Sequence, residues 1–478
     1  MTLLPNTRGD GGAFPGACES ARGESVDDES VRDRSARDEG ARDERACDES
    51  AWLLCRGVKS LLRCDEAEVV EGIARYLLSQ HESLRAGAEW VERRRGTRAP
   101  GVVALLGGVT RFLEVRRGRR RADAVWVARL GNERRAVEGL PRMLPELGWT
   151  ELKFRRRPDA AALFALARSA GRNWRRTVSL ARLLHRRYEF FKVLRVAELV
   201  AYYARYLELF RRGRFRLAVM SSHSNPHGIA FNLAARKSGV PVVLVTHGMP
   251  VRPVARLSYD LAVVHCEAAR QTYLEEGCRF GRVLVHGRRR QHAPMPAGPM
   301  PERLSVGIFL CKDVNEGRLR ALVERLLEDA RVSRVLLRPH PKNLWVGLDE
   351  WVASLDRARV RRSRGGPVSL DIEAADVVLG GNSSVLVDAV TAGRPAAYVP
   401  GLDYGSEDLH ALVARGLVCA FDERGLDPDA MLRFYRRPEW SAVLSLFANV
   451  EEDEAAVAAR AAAAMRELAG LHDRTTKG

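Results

Sequence analysis

The stretch RLAVMSSHSNPHGIAFNLAARKSGVPVVLVT, residues 216–246, decides the fold. It begins with RLAVMSS and ends with VVLVT, two short apolar runs that are typical of buried strands. Between them, residues 226–238 have the pattern of a helix, with a proline in the first turn and Asn225 or Ser224 as the N-cap. A strand, a helix and a strand in this order predict two parallel strands joined by a crossover helix.

The same alternation continues toward the carboxyl terminus. DLAVVH and RVLVHG predict two further strands, and residues 291–301, QHAPMPAGPMP, are so rich in proline that they predict a linker. SVGIFL, RVLLR, DVVLGG and AAYVP then predict four more strands, with helices from about residue 316, around 348–355 and from 383. Helices predominate from there on, including an alanine-rich one over 451–470. The expected fold class is α/β, with two Rossmann-like domains facing a cleft.

The amino-terminal part has a different character. Residues 1–50 include acidic pentads such as VDDES and ARDEG, hold 13 Asp or Glu against seven Arg, and are predicted to be a disordered leader. Residues 51–210 show mostly helical periodicity. We therefore expect four segments: the leader over 1–50, a helical and then α/β domain over 51–290, a Pro-rich linker over 291–303, and an α/β domain with terminal helices over 304–478.

Composition narrows the classes of function. The 478 residues carry a formal net charge of +17, and 71 of the 78 basic residues are Arg. A preference this strong is typical of genome composition, and no recognised nucleic-acid module accompanies it, so we expect no nucleic-acid partner. The arginine clusters at 93–98 and 116–121 fit either a solvated face or a peripheral contact with an anionic acceptor or membrane leaflet.

The expected compartment is the cytoplasm, with peripheral contact at the inner membrane face left open. The eight cysteines are scattered without a C-x-x-C pair, which suits free thiols in a reducing compartment. The longest apolar runs, such as GVVALLGGV, fall short of the ~20 residues that cross a bilayer. No signal peptide and no structural metal site can be recognised.

Polar residues accumulate where the predicted strands end. Ligands of open α/β sheets bind beyond the carboxyl ends of the strands, so these positions are the candidates for a site. The residues that follow the predicted strands are Ser222, His223, His247, Gly248, His286, Lys312, Arg338, His340, Asn382, Ser383 and Ser384.

The segment VVLGGNSSVLVDAVTAGRP, residues 377–395, predicts a strand, a glycine turn and a helix that opens with Asn382, Ser383 and Ser384. Free N–H groups at a helix start attract anions, so we expect this turn to bind a phosphate of a nucleotide-activated donor. Simple N-capping would also account for these residues. Asp388, one turn further, is a candidate acceptor for ribose hydroxyls, and Lys312 is another candidate for binding the donor.

Two more motifs end at histidines. In RVLLRPHPKN, residues 334–343, Arg338 ends a strand and two prolines hold His340 in an extended conformation, which suits stabilisation of a leaving diphosphate. In THGMP, His247 ends a buried strand, where partial desolvation favours the neutral imidazole that a general base needs. Gly248 permits close approach of a ligand to the backbone, although a histidine here is also ordinary at a strand end.

Taken together, THGMPVR, LRPHPKN and GNSSVLVDAVTAGRP resemble the motif set of GT-B-fold transferases of the CDP-glycerol glycerophosphotransferase and capsular polysaccharide type. The resemblance covers roughly residues 214–418. It implies a GT-B fold, with His247 as the base, His340 as the second histidine of the family, and Ser383 and Ser384 as the phosphate-binding pair. Arg252 falls where relatives often carry Lys, and together with Gly248 it is expected on the acceptor side of the site.

Two positions depart from the family pattern. Met249 replaces the small Thr that is frequent after His-Gly, and Asp388 stands where many relatives carry Glu. These two differences from the family pattern bear on which acceptor and which nucleotide the enzyme would use.

Two other motifs have simpler explanations than metal binding. His223 and His227 are four residues apart, but the Asn-Pro between them indicates a helix start, which favours a role on the acceptor side over a metal site. Asp427 and Asp429 imitate a D-x-D metal motif, yet capping of a late helix explains them better. Neither a P-loop nor a dinucleotide-binding G-x-G-x-x-G is present.

The function predicted from the sequence is an inverting, metal-independent transferase. It would move a sugar or polyol phosphate from a nucleotide-activated donor, its substrate rather than a cofactor, to a hydroxyl of a cell-surface glycan or lipid-linked precursor. One alternative is a sugar-nucleotide epimerase of the UDP-N-acetylglucosamine 2-epimerase type, which would need acidic residues at the strand ends. The other is a non-enzymatic basic protein that binds nucleic acid through its arginine clusters.

Overall fold

The computed structural model describes residues 67–79, 122–128, 131–152, 190–286 and 293–471, with gaps at 313, 342, 344, 346, 404–407, 423–424 and 449–452. The predicted leader and the arginine clusters at 93–98 and 116–121 lie outside the described residues.

The first α/β domain contains six strands in its described part. Its elements are α1 (Ala67–Ser79), β1 (Ala124–Val127), α2 (Gly131–Val137), α3 (Leu140–Met143), β2 (Trp149–Leu152), α4 (Phe190–Arg212), β3 (Leu217–Met220), α5 (Pro226–Lys237), β4 (Val242–Val245), β5 (Ser258–Val264), α6 (Glu267–Glu275) and β6 (Arg279–Val285). The strand order is β2-β1-β3-β4-β5-β6, and all neighbours are parallel.

The unit predicted from the opening stretch is confirmed. β3 and β4 pair in parallel, with Ala218 opposite Val242, and every residue of both strands is buried. Asn225 is the extended N-cap residue of α5, and Pro226 stands in its first turn, where a missing N–H costs nothing. α5 packs on α4 through the ring of Phe231, whose centroid is 5.3 Å from that of Tyr206.

The prediction of a mostly helical segment over 51–210 was wrong for residues 124–127 and 149–152. This part supplies β1 and β2, and β1 occupies an interior place in the sheet between β2 and β3. Both strands have only four residues, AVWV and WTEL. Neither is long enough to show the alternation of apolar and polar residues that would distinguish a strand from the helical sequence around it. β1 is buried throughout, as expected for a strand covered on both faces.

The second α/β domain begins after the Pro-rich segment, of which residues 293–303 form neither helix nor strand. Its elements are β7 (Leu304–Phe309), α7 (Glu316–Glu328), β8 (Val332–Arg338), α8 (Leu348–Ser354), β9 (Val360–Arg362), α9 (Val368–Glu373), β10 (Val377–Gly380), α10 (Val385–Thr391), β11 (Ala396–Tyr398), β12 (Cys419–Ala420), α11 (Pro428–Tyr435), α12 (Trp440–Phe447) and α13 (Glu454–Leu468). Its six strands follow the order β12-β11-β10-β7-β8-β9 and are also parallel.

The alanine-rich terminal helix, α13, packs on the sheet of the first domain. Ala461, Ala462 and Met465 share a buried cluster with Val219 of β3 and Val243 of β4. The small alanine side chains let the helix backbone approach the sheet closely. The sequence analysis assigned this helix to the second domain, whereas in the structure it packs on the sheet of the first domain.

The expected fold class, α/β with two domains on parallel sheets, is confirmed by these two six-stranded sheets. None of the helices in the described part of the chain has both the length and the apolarity needed to cross a bilayer.

Candidate functional site

The carboxyl ends of β1, β3 and β4 lie side by side in the first sheet, and each is followed by a polar residue. Glu133 lies in α2, which follows β1; Ser221 follows β3 directly; and His247 lies two residues beyond β4. His247 was predicted from the sequence, whereas Glu133 was not. These residues form the strand-end site of the first domain, together with His223.

His247 is held by Ser221. Its Nδ1 is 3.2 Å from Oγ of Ser221, whose side chain is fully buried. His247 itself is exposed, yet the surrounding atoms partly desolvate its ring. This desolvation has the largest effect on the pKa of His247, and it lowers that pKa. The charge of Glu133 and a hydrogen bond with the Ser221 backbone oppose that shift. The net result is a neutral imidazole at pH 7.

His223 lies deeper, behind this ring. Only 6% of its surface is exposed, and its Nδ1 is 2.7 Å from the hydroxyl of Tyr273 on α6. Burial, and to a smaller extent the nearby His247, lowers the pKa of His223 to about 3. Burial also raises the pKa of Tyr273 well above its usual value, so the phenol keeps its proton and donates a hydrogen bond to His223. His223 therefore stays neutral and is held in the interior by its hydrogen bond with Tyr273.

His227 packs in the core of the first domain. It lies on α5, is fully buried, and packs the edge of its ring against Tyr202 of α4 at a centroid distance of 6.0 Å. The next residue, Gly228, faces the end of β3, because a Cβ there would stand 2.0 Å from the Ser222 carbonyl oxygen. The role on the acceptor side predicted for His227 stays a prediction, and its burial places it in the core.

The segment after His247 passes along the second domain. A Cβ added at Gly248 would have no atom within 4 Å, so there is space beside the backbone at this residue. Met249 packs against the buried cluster that contains Phe309 and Leu386 of the second domain, and its Sδ accepts from the Cys266 thiol at 3.2 Å. The large residue that replaces the small one of the family pattern therefore fills the contact between the domains.

Arg252 also has a structural partner. Its guanidinium forms an ion pair with Glu275 and lies 3.7 Å from Glu276, both on the α6 side of the same domain. Glu275 in turn pairs with Arg415 of the second domain at 2.8 Å. The predicted contact of Arg252 with an acceptor therefore competes with this network of charges.

One residue of the second domain bridges two of the predicted motifs. The Leu409 N–H donates to Oδ1 of Asn382 at 2.8 Å, and its carbonyl accepts the Arg252 N–H at 3.1 Å. The following residue, His410, lies with Nδ1 3.3 Å from the Pro250 carbonyl. The THGMPVR and GNSS segments are thus joined through a single residue, although they lie about 130 positions apart in the sequence.

The turn after β10 is fixed by an acidic residue that the sequence did not single out. The Asn382 N–H donates to Oδ2 of Asp403 at 2.5 Å, and Asp403 is 7% exposed. Gly381 permits this approach, since a Cβ there would lie 2.1 Å from the same carboxylate oxygen. No sequence signal distinguishes Asp403 from other loop aspartates, because its partner is a backbone group 21 positions away.

The predicted phosphate-binding residues surround the start of α10. This helix was expected from residue 383 and begins at Val385. The Ser383 Oγ accepts the Val385 N–H at 3.3 Å, Ser384 is the exposed N-cap residue, and Asp388 is half-buried one turn on. Lys312, just beyond β7, is exposed.

Arg338 and His340 occupy different surroundings at the end of β8. The Arg338 guanidinium forms an ion pair with Asp371 and donates to the Gly366 carbonyl at 2.7 Å. This carboxylate offsets the charge that was predicted to face a leaving diphosphate. His340 is exposed, and its carbonyl accepts the Asn343 N–H at 2.8 Å, which closes a turn after the strand.

No protein-family model matches the sequence, and no curated protein matches it either. Among solved structures, the chain is similar to UDP-GlcNAc 2-epimerase from Neisseria meningitidis bound to UDP-GlcNAc, with 11% identity, a TM-score of 0.38, and coverage of 72% of this chain and 99% of that one. The glycotransferase of kitacinnamycin is 12% identical, with a TM-score of 0.40 and coverage of 73% of this chain and 99% of that one. MurG from Acinetobacter baumannii is 12% identical, with a TM-score of 0.36 and coverage of 72% of this chain and 99% of that one. Similarities of this size carry no argument about activity.

Proposed function

We propose that the chain is an inverting, metal-independent transferase that uses a nucleotide-activated sugar or polyol-phosphate donor. The bridge through Leu409 carries this proposal, because it places the segment of the candidate base beside the candidate phosphate-binding turn. The motif resemblance implies the same pairing. A base and an anion site on facing domains are what displacement of a nucleotide by a hydroxyl requires.

The proposed step starts with His247. With the proton on Nδ1, directed at Ser221, the lone pair of Nε2 takes the proton of the acceptor hydroxyl. The acceptor oxygen forms a bond to the anomeric carbon of the sugar, or to phosphorus of a polyol phosphate. The bond from that atom to the nucleotide breaks, and the nucleotide leaves with the electron pair. The acceptor is a hydroxyl of a cell-surface glycan precursor.

The second domain would receive the nucleotide. The hydroxyls of Ser383 and Ser384 would contact its phosphates, and Lys312 and His340 would balance the charge that develops on departure. Asn382 is already held by Asp403 and Leu409, so its role would be to fix the turn. Arg338, paired with Asp371, would shape the same strand end.

Epimerisation requires a carboxyl group in contact with the sugar. Glu133, which the structure adds to the strand-end site, is 1% exposed and so is shielded from any substrate. Glu133 is therefore not a candidate acid or base of an epimerase.

The experiment measures donor turnover by the wild type and by His247→Ala, His340→Ala and the control His286→Ala, a histidine at the end of β6. We expect loss of about two to four orders of magnitude for His247→Ala, the range of general-base catalysis, and little change for His286→Ala. Rates near wild type for both His247→Ala and His340→Ala would overturn the mechanism. Incubation of the donor without an acceptor detects an epimerase.

A further inference from the structure

A loop of the second domain reaches across to the first. Residues 408–415, which we refer to as the clasp, lie between β11 and β12. The Asp408 carboxylate accepts the N–H groups of residues 412–414, at 2.8, 2.6 and 3.2 Å, and so shapes the loop from inside. Ala411 has a φ of 53°, in the left-handed region that is unfavourable for a residue with a Cβ. Such a conformation persists only where surrounding contacts enforce it, and it is common at functional sites.

Arg415 anchors the clasp to α6 of the first domain. Its guanidinium donates to Oε1 of Gln271 at 2.6 Å, to Oγ1 of Thr272 at 3.2 Å and to Oε2 of Glu275 at 2.8 Å. Only 13% of the Arg415 side chain is exposed. A largely buried guanidinium that meets several acceptors is held more strongly than an exposed ion pair. The loss of Arg415 should therefore release the clasp from the first domain.

Leu409, at the other end of the clasp, lies where the two domains meet. Its N–H donates to Asn382 in the turn after β10, which we call the donor turn, and its carbonyl accepts the Arg252 N–H. Asn382 is tied to its own domain, because its carbonyl accepts the Cys311 thiol at 3.2 Å. Arg252 is tied to α6 through Glu275. A movement between the domains would therefore be felt at the hydrogen bonds of Leu409.

We propose that Arg415 is a positioning residue for His247: by anchoring the clasp to α6, it keeps the donor turn in register with the segment that carries the base. This inference rests on the proposed function. The base must lie within hydrogen-bond reach of the acceptor hydroxyl while that oxygen faces the donor, and a misplacement of about 1 Å can cost about 100-fold in rate. Arg415 acts through the backbone contacts of Leu409 rather than through contact with a substrate.

The first measurement does not depend on activity. Hydrogen exchange, resolved to single amides, compares the wild type with Arg415→Gln. Because the Arg252 and Leu409 N–H groups are donated where the domains meet, both should exchange about tenfold faster or more in the variant. The N–H groups of residues 412–414 are bonded inside the clasp and should change by less than about threefold. Unchanged exchange at Arg252, or an equal acceleration at residues 412–414, would overturn the inference.

Arg270→Gln is the matched control. Arg270 also lies on α6 and pairs with Glu267 of the same helix at 2.6 Å, so its loss removes a similar ion pair and leaves the anchor of the clasp in place. The exchange of Arg252 and Leu409 should stay within about twofold of the wild type. A tenfold acceleration in this variant too, on the order of that expected for Arg415→Gln, would mean that any weakening of α6 has the same effect, and the specific role of Arg415 would be lost.

A second variant tests the contact from the other domain. Gln271→Ala removes one acceptor of the Arg415 guanidinium and serves if Arg415→Gln does not fold. The exchange of Leu409 should rise about threefold, less than in Arg415→Gln, because Thr272 and Glu275 remain as acceptors. An unchanged rate at Leu409 contradicts the inference.

Turnover separates this inference from the proposed function. If the enzyme transfers its donor group, kcat should fall about tenfold or more in Arg415→Gln, while KM for the donor changes by less than about threefold, because the serines of the donor turn are intact. Arg270→Gln should keep both constants. Faster exchange at Leu409 with wild-type kcat would overturn the positioning role. Faster exchange without any donor turnover by the wild type would refute the transferase and leave the clasp intact.

Discussion

The buried His223 should make the stability of the first domain depend on pH in a way that a single substitution removes. His223 is 6% exposed, carries no charge at neutral pH, and has a pKa of about 3 in the folded protein. In the unfolded chain its pKa returns to 6.5. Between these values the unfolded state binds a proton that the folded state excludes, so acid favours unfolding.

The size of the effect follows from this difference. Because the folded pKa is depressed, the contribution of His223 is fully present above pH 6.5 and is lost progressively as the pH falls toward 3. At about pH 5.0, which is roughly 1.5 units below the unfolded pKa, the loss is about 2 kcal/mol. Glutamine in place of His223 keeps a hydrogen-bonding side chain without a titrating ring, so His223→Gln should lose about 2 kcal/mol less than the wild type over this range.

The measurement is urea denaturation of both proteins at pH 7.5, 6.5, 5.5 and 5.0. The test compares how the free energy of unfolding changes with pH in the two proteins. The lowered pKa values of His247 and His410 contribute equally to both and cancel in the difference. A variant that is less stable at pH 7.5 is compatible with the reasoning, since Gln does not reproduce the contact with Tyr273. Curves that run parallel within about 0.5 kcal/mol from pH 7.5 to 5.0 would show that His223 is not a buried, neutral ring.

Three further outcomes are expected. If His247 is the base, the midpoint of the acid-side fall in kcat/KM should lie below pH 6.5, because desolvation of the ring lowers the pKa of His247; a midpoint above pH 6.5 contradicts this. Gly228→Ala should lower the free energy of unfolding in urea by about 1–3 kcal/mol, since its Cβ would stand 2.0 Å from a backbone oxygen, whereas Gly139→Ala, with no atom within 4 Å, should change it by less than about 0.5 kcal/mol. Gly381→Ala should displace Asp403 from the Asn382 N–H and cost about 1–3 kcal/mol in the same assay; wild-type stability would mean that this hydrogen bond does not hold the turn.

The sequence was most informative where strands are apolar and helices are clearly capped. The runs around Val219, Val243, Ile308 and Val378 each became a buried strand of a parallel sheet. The terminal helix shows where such reasoning stops. Its periodicity predicted a helix correctly, but the partner of an alanine face depends on the path of the whole chain, and no local pattern directs α13 to the first sheet.

The candidate site shows a similar division. The rule that ligands bind beyond the carboxyl ends of parallel strands singles out His223, His247 and Asn382 from the sequence alone. It missed Glu133, because β1 was not recognised and the Glu-Arg-Arg that follows it is typical of an exposed helix turn. The family resemblance pointed to Arg252 and the strand-end rule to Arg338, but neither anticipated that both are paired with carboxylates, which lie 23 and 33 positions away in the chain.

These carboxylates change which residues must provide the charge for a departing nucleotide. Asp371 offsets Arg338, and Glu275 is shared by Arg252 and Arg415, so these three cations are already compensated. The stabilisation of a leaving group then depends more on neutral donors, such as the Ser383 and Ser384 hydroxyls, than on arginine. The turn before these serines is fixed by Asp403 and Leu409, and donors on a fixed turn need little rearrangement when charge develops, which is the condition under which they stabilise a transition state best.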